Sequence, residues 1–344
     1  MTRLGIIFGG RSSEHEISLM SSTSALNAID RSKFDVVMIG ITKDGRWKLF
    51  QGEPADVENG NWEALSEEIA ISDVKGLIDF AFPIMHGPFG EDGTIQGLFE
   101  MLDIPYAGCG VLASACAMDK IAAKNLFTKQ GINSSPYIAV SRATFTPADT
   151  QRIADTLGFP LFVKPANMGS SIGIKKVTRQ DQIEEAVKEA FVYDRRVIIE
   201  QGINAREIEV GVIGNDAPIV SEVGEIVPSH EFYDYTAKYF DGGQSRMVVP
   251  APIKPETRKK VLEMAAASYL ALDCEGFARC DFLIDKETEE VYINEINTIP
   301  GMTKFSMFPL LFQEAGIPYR ILIERIVEFG YERYHSKNNG QTDR

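Results

Sequence analysis

Two strand-like segments late in the chain carry the side chains best suited to chemistry. They are residues 277–285 (FARCDFLID) and 291–297 (VYINEIN), and the charged run KETEE between them has hairpin length. If Asp285 faces Val291 in an antiparallel pair, Asp281 lies opposite Glu295. The same register places Arg279 opposite Asn297. Because strand side chains alternate, all four then project from one face.

This face could bind a divalent cation. Two carboxylates directly opposite each other repel, and a cation between them relieves that repulsion. Asp281, Glu295 and Asn297 are oxygen ligands, which suit Mg²⁺ or Mn²⁺, and Mg²⁺ is normally shared between one or two carboxylates and a substrate phosphate. The alternative is a solvated hairpin face, and a slip of one residue in the register would remove the argument.

A glycine- and serine-rich segment could bind phosphate. Residues 167–173 (NMGSSIG) follow Lys164. Small residues let backbone N–H groups approach an anion, and the lysine supplies positive charge. The segment lacks the GxxxxGK[ST] pattern, and a plain surface turn is the alternative. Lys120, in a helical segment, is either a second phosphate ligand or an ordinary solvated lysine.

A strand end could bind a nucleotide base. Glu200 ends an apolar run and is followed by Gln201-Gly202-Ile203. Such a segment offers backbone hydrogen bonds to an adenine edge and an apolar side chain beneath the ring. A strand-end glutamate without function is the alternative.

Two loops could complete an active site. Residues 230–247 (HEFYDYTAKYFDGGQSRM) are typical of a lid that excludes water, although an ordinary surface loop is the alternative. Residues 298–303 (TIPGMT) leave the hairpin and lead into a helix near Ser306. The Gly301 N–H beside a metal could stabilise an oxyanion, and the helix N-terminus favours a carboxylate. A plain Pro-Gly turn is the alternative there.

An open α/β domain is predicted for residues 1–112. A short strand at 4–8 leads to a helix ending near Ile29, where Ser13 and Glu16 have capping-box spacing. Strands at 34–41 and 47–50 flank an Asp-Gly turn. A strand at 77–85 then precedes a glycine-rich turn and a helix over 94–102. Residues 51–76 are expected to be polar and irregular.

Two further units are expected, a central one over residues 113–200 and a third over 201–334 that contains the lid. The pattern predicts one helix over 112–130, strands at 162–165 and 196–201, and a helix over 178–193. A helix over 256–272, the hairpin and a terminal helical region to Tyr334 follow. Residues 335–344 are expected to be a disordered tail, with His335 in solvent.

Composition limits the classes of partner. The chain has 344 residues, enough for two or three domains, with a net charge of −14 and 44% hydrophobic residues. This charge argues against nucleic acid or an anionic membrane as the main partner. The 4 cysteines show no CxxC spacing, which favours a reducing compartment. The N-terminal apolar run is too short for a signal peptide. We therefore expect a soluble, cytoplasmic protein.

A Mg²⁺ hairpin, lysines, a glycine loop and a lid together indicate an enzyme that uses a nucleoside triphosphate outside the P-loop class. The chain resembles the ATP-grasp ligases, and among them the D-alanine–D-alanine ligases of bacterial wall synthesis. The resemblance runs from Gly9 to about Ile326. It rests on seven segments in the family's order, namely FGGRSSEHEIS (8–18), MHGPFGEDGTIQG (85–97), MDK (118–120), VKPANMGSSIG (163–173), YDYTAKY (233–239), ARCDF (278–282) and NEINTIPGMT (294–303).

The resemblance implies a two-part ATP-grasp fold after the N-terminal α/β domain, and a role for each matching residue. Glu14 would bind the ammonium of the first D-alanine, with Ser170 and Tyr239 orienting it. Arg279 and the Gly301 N–H would stabilise oxyanions, and Ser306 would hold the second carboxylate. Asp281, Glu295 and Asn297 would ligate two Mg²⁺ or Mn²⁺ ions. Nucleotide contacts are implied for Lys120, Lys164, Ser171, Glu200, Ile203, Glu207, Asn294 and, from the lid, Lys238.

The implied reaction makes an acyl phosphate from ATP and the first D-alanine, which the amine of the second D-alanine attacks. The lid would decide the second substrate: Tyr239 favours D-alanine, whereas a D-alanine–D-lactate or D-alanine–D-serine ligase of the same fold is the alternative. A non-catalytic nucleotide-binding or scaffold protein is the alternative of another class. The family also implies a homodimer. The resemblance implies no role for any residue in the segment 51–76.

Overall fold

Three sheets organise the computed structural model, which describes residues 1–228 and 246–339. The first is a 5-stranded sheet of order β4-β3-β2-β1-β5. β1 runs parallel to β2 and β5, and α1 crosses from β1 to β2. Its elements are β1 (Thr2–Gly9), α1 (His15–Ala28), β2 (Phe34–Ile41), β3 (Trp47–Phe50), β4 (Glu67–Ile69) and β5 (Phe80–Ile84), followed by α4 (Thr94–Leu102).

Three predictions for this part are wrong. The residue capping α1 is Glu14, with no side-chain cap, and Glu16 forms an ion pair with Lys43 instead of closing a capping box with Ser13. Residues 51–76 are not irregular: they contain α2 (Pro54–Glu58), β4 and α3 (Val74–Leu77), so the predicted strand at 77–85 begins only at Phe80. One aromatic side chain of the segment 51–76 packs against the first sheet. Trp62 is 1% exposed and packs edge-on against Phe8 with ring centroids 5.0 Å apart.

The central unit is a 4-stranded antiparallel sheet of order β6-β9-β7-β8. The helix predicted over 112–130 is two helices, because the Asp119 carboxylate accepts the N–H groups of Ile121 and Ala122 and starts a new helix there. The elements are α5 (Val111–Met118), α6 (Lys120–Lys129), β6 (Tyr137–Ser141), α7 (Asp149–Leu157), β7 (Leu161–Pro165), β8 (Lys175–Val177), α8 (Ile183–Tyr193) and β9 (Arg196–Gln201).

The third sheet is 5-stranded and antiparallel, of order β12-β11-β10-β13-β14. The last helix continues to Asn339, so the prediction of a disordered tail from residue 335 is wrong for residues 335–339. His335 is exposed and stacks on Tyr331. The elements are β10 (Ala205–Ile213), β11 (Ile219–Val227), β12 (Arg246–Val248), α9 (Pro255–Ala271), β13 (Phe277–Asp285), β14 (Val291–Asn297), α10 (Met307–Glu314) and α11 (Tyr319–Asn339).

The register of the β13–β14 hairpin contains a bulge. Asp281 pairs with Glu295 and Arg279 with Asn297, as predicted. The assumed starting pair is wrong, because Ile284 and not Asp285 faces Val291. The register shifts by one residue between the Phe282–Ile293 and Asp281–Glu295 pairs, which leaves Asn294 as the extra residue.

The hydrophobic core joins the first and last parts of the chain. Leu4, Phe8 and Phe82 from the first sheet lie in one buried cluster with Phe277 from the third sheet and Ile326 from α11. The central sheet has its own core, built around residues such as Val163 and Ile199. The fold class is therefore the predicted mixture of α/β and α+β parts. The boundaries at residues 112 and 200 remain our proposal. Among the described residues, no helix is long and apolar enough to span a membrane.

Candidate active site

A cavity of about 900 Å³ lies where the first sheet, the glycine-rich loop and the third sheet meet. It is lined by residues from loops after β1 and β5, from the loop after β7, from the strands of the third sheet and from the segment after β14. These include Glu14, His86, Glu91, Lys120, Gly169, Ser170, Glu209, Arg279, Glu295, Asn297, Gly301 and Ser306.

Glu14 enters this cavity because β1 and β5 are parallel neighbours, so the loops after both strands open at the same sheet edge. The Ser170 hydroxyl donates a hydrogen bond to Glu14 Oε1 across 156 residues of sequence. Gly87 makes room for the carboxylate: a Cβ at this position would lie 2.4 Å from Glu14 Oε2, and its φ is +73°. The glycine in the HGPFG segment therefore shapes the site of the predicted ammonium ligand.

Glu91 and His86 hold the loop after β5 against the segment after β14. Glu91 accepts the backbone N–H of Gly87 at 2.7 Å and that of Ile299 at 3.2 Å. Burial, together with the negative charge of Glu14, raises the pKa of Glu91 to about 8. His86 Nδ1 donates to the Ile299 carbonyl at 2.9 Å, so Nε2 accepts from the Ser21 hydroxyl at 3.0 Å. Burial lowers the pKa of His86, which favours this neutral ring.

Arg279 is held by two carboxylates. Its Nε and Nη2 atoms both donate to Asp281 at 2.7 Å, and Nε lies 3.1 Å from Glu209 on the neighbouring strand β10. The charge of Asp281 is therefore compensated by Arg279. Asp281 and Glu295 face each other as predicted, and Arg279 offsets part of the repulsion that was expected between them. The paired carboxylates fix the direction of the guanidinium, which lines the cavity.

The hairpin residues fit a Mg²⁺ or Mn²⁺ ion by the chemistry of their donors. Asp281 Oδ1 accepts the Nε–H of Arg279, and Oδ2 accepts N–H groups of Arg279 and Asn297. A carboxylate has about four lone-pair sites, so capacity for a cation remains. Within residues 1–228 and 246–339, no group of three or more His, Cys, Asp or Glu side chains forms a metal cage. Substrate phosphate and water would supply the other ligands.

The segment after β14 places Gly301 and Ser306 side by side. A Cβ at Gly301 would lie 2.9 Å from Ser306 Oγ. Ser306 is the residue before α10, where the predicted helix begins. Its hydroxyl accepts the Thr303 N–H at 3.1 Å and lies 2.7 Å from Thr303 Oγ1. Both predicted residues line the cavity.

The predicted nucleotide residues divide into two groups. Lys120 lines the cavity and donates to the Met168 carbonyl of the glycine-rich loop at 2.6 Å. Lys164 instead pairs with Glu200 at 2.5 Å, and Glu200 is 3% exposed. Ser171 has a left-handed φ of 60° in the loop. Ile203 follows β9, Glu207 lies on β10, and Asn294 is the bulge residue. Lys164, Ser171, Glu200, Ile203, Glu207 and Asn294 are not among the lining residues of the cavity.

The predicted lid falls almost wholly outside the described residues. Lys238 and Tyr239 both lie there. Of the segment 230–247, Arg246 and Met247 are described, and both line the cavity.

Sequence comparison identifies the family of this chain. Residues 3–109 match the family described as "D-ala D-ala ligase N-terminus", and residues 126–328 match "D-ala D-ala ligase C-terminus". The chain belongs to the D-alanine–D-alanine ligase family. A D-alanine–D-alanine ligase of Geobacillus thermodenitrificans is 46% identical over 355 residues, covering 98% of this chain and 97% of that protein. The prediction of an enzyme, a ligase of this family, is confirmed.

Solved structures agree with this D-alanine–D-alanine ligase assignment. The VanG D-Ala:D-Ser ligase from Enterococcus faecalis has a TM-score of 0.88 at 36% identity and covers 96% of this chain and 99% of its own. A Bacillus anthracis D-alanine–D-alanine ligase complexed with ATP has a TM-score of 0.77 at 28% identity, with coverages of 98% and 100%. The predicted use of ATP is supported by this second likeness.

Several charged residues of this D-alanine–D-alanine ligase family member were not predicted from sequence. The sequence pattern could have identified Glu209, since it lies two residues after Glu207 on a strand and so shares its face. The pattern could also have identified Lys124, because it lies four residues after Lys120 on the same helix face. Glu91 had no signal beyond its place in the glycine-rich turn. Its contacts depend on a segment more than 200 residues away.

Proposed function

We propose that this chain joins two D-alanine molecules to D-alanyl-D-alanine, with ATP converted to ADP and phosphate, for peptidoglycan precursor synthesis. The observation that carries the proposal is the Glu14 carboxylate, bonded to Ser170, in the same cavity as the Arg279 guanidinium. A carboxylate suits a substrate ammonium, and a guanidinium suits a substrate carboxylate or phosphate. One cavity thus offers both groups that an amino acid and its acyl phosphate need.

Each end of the first D-alanine has a candidate partner. Glu14 would bind its ammonium, held in direction by Ser170 and, from the lid, by Tyr239. Arg279, fixed between Asp281 and Glu209, would neutralise charge on the acyl phosphate. The Gly301 N–H would stabilise the oxyanion of the tetrahedral intermediate. Ser306 at the start of α10 would hold the carboxylate of the second D-alanine.

The phosphates of ATP would lie between the glycine-rich loop and the hairpin. Lys120, Lys164 and Ser171 would contact them from one side, and Lys238 would cover the γ-phosphate from the lid. Glu200, Ile203, Glu207 and Asn294 would contact the nucleoside. Asp281, Glu295 and Asn297 would hold two Mg²⁺ or Mn²⁺ ions, which when bound offset charge on the transferring phosphoryl group. The closed lid would keep water from the acyl phosphate.

Assembly and location belong to the same proposal. We infer a homodimer acting in the cytoplasm without nucleic acid or membrane partners, as the family suggests. Size-exclusion chromatography with light scattering on the purified chain tests the dimer, and a monomer at micromolar concentration would contradict it.

Product analysis tests the reaction itself. The chain is incubated with ATP, Mg²⁺ and equal concentrations of D-alanine, D-serine and D-lactate at neutral pH, and products are separated by mass spectrometry. We expect mainly D-alanyl-D-alanine. Depsipeptide should be scarce, because D-lactate lacks the amine and a site that pairs with a substrate N–H rejects an analogue lacking it. Mostly D-alanyl-D-serine or depsipeptide would select the alternative ligases, of which the likeness to VanG makes D-serine the one to examine first. No phosphate release with any mixture would overturn the proposal.

A further inference from the structure

A second lysine of α6 is completely enclosed by protein. Lys124 has a relative exposure of 1%, in contrast to Lys120 one helical turn earlier, which lines the cavity. Lys124 Nζ lies 2.8 Å from Glu200 Oε1, 2.7 Å from Ser135 Oγ and 3.3 Å from the Ser135 carbonyl oxygen. Three acceptors around Nζ match the three N–H groups of an ammonium. All of its donors are therefore used inside the protein, and Lys124 is placed to act on Glu200.

Glu200 is held on both oxygens. Lys164 Nζ lies 2.5 Å from Oε2, and the Glu200 side chain is 4% exposed. Burial alone would raise the pKa of Glu200, but the charges and hydrogen bonds of Lys124 and Lys164 outweigh it and lower the pKa to about 2. The other titratable groups that act on this cluster are Tyr137, Glu207 and Glu295. Glu200 is thus an ionised hydrogen-bond acceptor.

The two lysines are not equivalent. The side chain of Lys164 is 14% exposed and that of Lys124 is 1% exposed. Lys164 lies on β7, which leads directly into the glycine-rich loop. In the proposed function Lys164 is a phosphate ligand, so its charge is shared with ATP once the nucleotide binds. Burial lowers the pKa of Lys124 and the charge of Glu200 opposes that shift, so the two groups stabilise each other's charged forms. Lys124 is then the partner that stays with Glu200 when ATP binds.

The state of Glu200 matters for the choice of base. Adenine has an exocyclic amine at C6, which donates to an ionised carboxylate. Guanine has a carbonyl oxygen at that position, which is an acceptor and is repelled by the same carboxylate. A protonated or reoriented Glu200 would discriminate less, because a carboxylic acid can also donate. A buried site that leaves an acceptor facing an acceptor is strongly disfavoured.

We propose that Lys124 is a positioning residue that keeps Glu200 ionised and aimed at the C6 amine of the base, and so sets the preference for adenine over guanine nucleotides. The inference rests on the proposed function for two contacts, Glu200 with the base and Lys164 with phosphate. Lys124 itself touches neither base nor phosphate.

Nucleotide binding without D-alanine tests this role. Dissociation constants of Mg²⁺-ATP and Mg²⁺-GTP are measured by calorimetry for the full chain. The variants are Lys124→Met, Lys124→Arg, Glu200→Gln and the double variant Lys124→Met/Glu200→Gln. Lys129→Met on the same helix is the matched control, since Lys129 is exposed. We expect Lys124→Met to weaken ATP binding about tenfold, because Glu200 loses the hydrogen bond and the charge that aim its carboxylate, while GTP binding stays the same or tightens. Lys124→Arg should recover part of the loss.

The double variant separates a role through Glu200 from a general structural role. If Lys124 acts through Glu200, adding Lys124→Met to Glu200→Gln changes ATP affinity by less than about threefold. This comparison also serves if Lys124→Met alone does not fold, because the double variant removes the buried Glu200 charge together with its fully enclosed partner. The charge that remains is that of Lys164, whose side chain is 14% exposed. The proposal is overturned if Lys124→Met has a normal melting temperature and binds ATP within about threefold of wild type. Equal losses for ATP and GTP, or losses that add in the double variant, would also overturn it.

The outcome is independent of the ligase reaction. A wild-type chain that prefers ATP through Lys124 but forms no dipeptide would contradict the proposed function and leave this inference standing. If the wild-type chain forms dipeptide but the Lys124→Met variant keeps the wild-type preference for ATP, the proposed function stands and this inference is contradicted.

Discussion

Asp281 lies directly opposite Glu295 across the β13–β14 hairpin, although the pairs nearer the turn are offset by one residue. The extra residue, Asn294, lets Ile293 face the core while Glu295 faces the cavity, even though both have odd numbers. Strict alternation would have put these two side chains on one face. The bulge therefore separates the apolar half of the strand from the half that carries the candidate metal ligands.

Asp281→Asn and Glu295→Gln should each reduce dipeptide formation at least about 100-fold, because each replaces a charged candidate ligand by a neutral isostere. Phosphate release with ATP and D-alanine is measured across a Mg²⁺ titration. Glu287→Gln, exposed in the connecting turn, is the control and should behave like wild type. Near-normal turnover of either variant at saturating Mg²⁺ would remove the metal assignment.

Gly87→Ala should raise the KM for D-alanine at least about tenfold, and that for ATP much less, because the new Cβ displaces the Glu14 carboxylate and the backbone is strained. Steady-state kinetics with each substrate varied in turn give the two constants. Gly76→Ala is the matched control, since a Cβ there meets nothing within 4 Å. Equal changes in both KM values would place the effect elsewhere than at Glu14.

Glu91 should make the protein less stable as the pH rises. Its pKa in the folded protein is raised to about 8, so between its ordinary value and 8 the folded state binds more protons than the unfolded chain. Stability therefore falls as the pH rises through that window. Melting temperatures are compared at pH 5.5 and 8.5. Glu91→Gln should show a smaller decline than wild type, and Glu287→Gln the same decline. A wild-type decline that persists unchanged in Glu91→Gln would exclude Glu91 as its source.

Arg333→Met should destabilise the fold by about 2–4 kcal/mol, because it leaves buried carbonyl groups without a donor. Arg333 is 8% exposed, donates to the carbonyls of Gly108 and Tyr106, and lies 3.9 Å from the Tyr106 ring centroid. Urea unfolding of the variant and the wild type gives the difference in their free energies of unfolding. Lys337 lies on the same helix as Arg333 and forms an exposed ion pair with Glu100 of α4. Lys337→Met should therefore have little effect on stability. Similar losses in both variants would show that the buried contacts are not the cause.

Local pattern was enough to predict much of this molecule. The strands at 34–41 and 47–50 and the helix at 94–102 have the expected bounds, because periodicity and turn residues are local signals. The seven motifs in order predicted the family and the use of ATP. The hairpin pattern predicted the pairing of Asp281 with Glu295, since a short hairpin joins segments that are close in sequence. Even there, the spacing of the apolar residues Val291, Ile293 and Ile296 contained the signal of the bulge, which strict alternation missed.

Only the tertiary structure decided how the charges are paired. Sequence suggested that Lys164 faces phosphate and Asp281 a cation, yet in the fold Lys164 bonds Glu200 and Asp281 bonds Arg279. The enclosure of Lys124, the link from Ser170 to Glu14 and the contact of Glu91 with Ile299 also depend on segments that meet only when the sheets pack together. A buried charge takes its partner from whatever group the fold brings within hydrogen-bond reach. Residue type and spacing identify a charge, but its partner depends on contacts between distant parts of the chain.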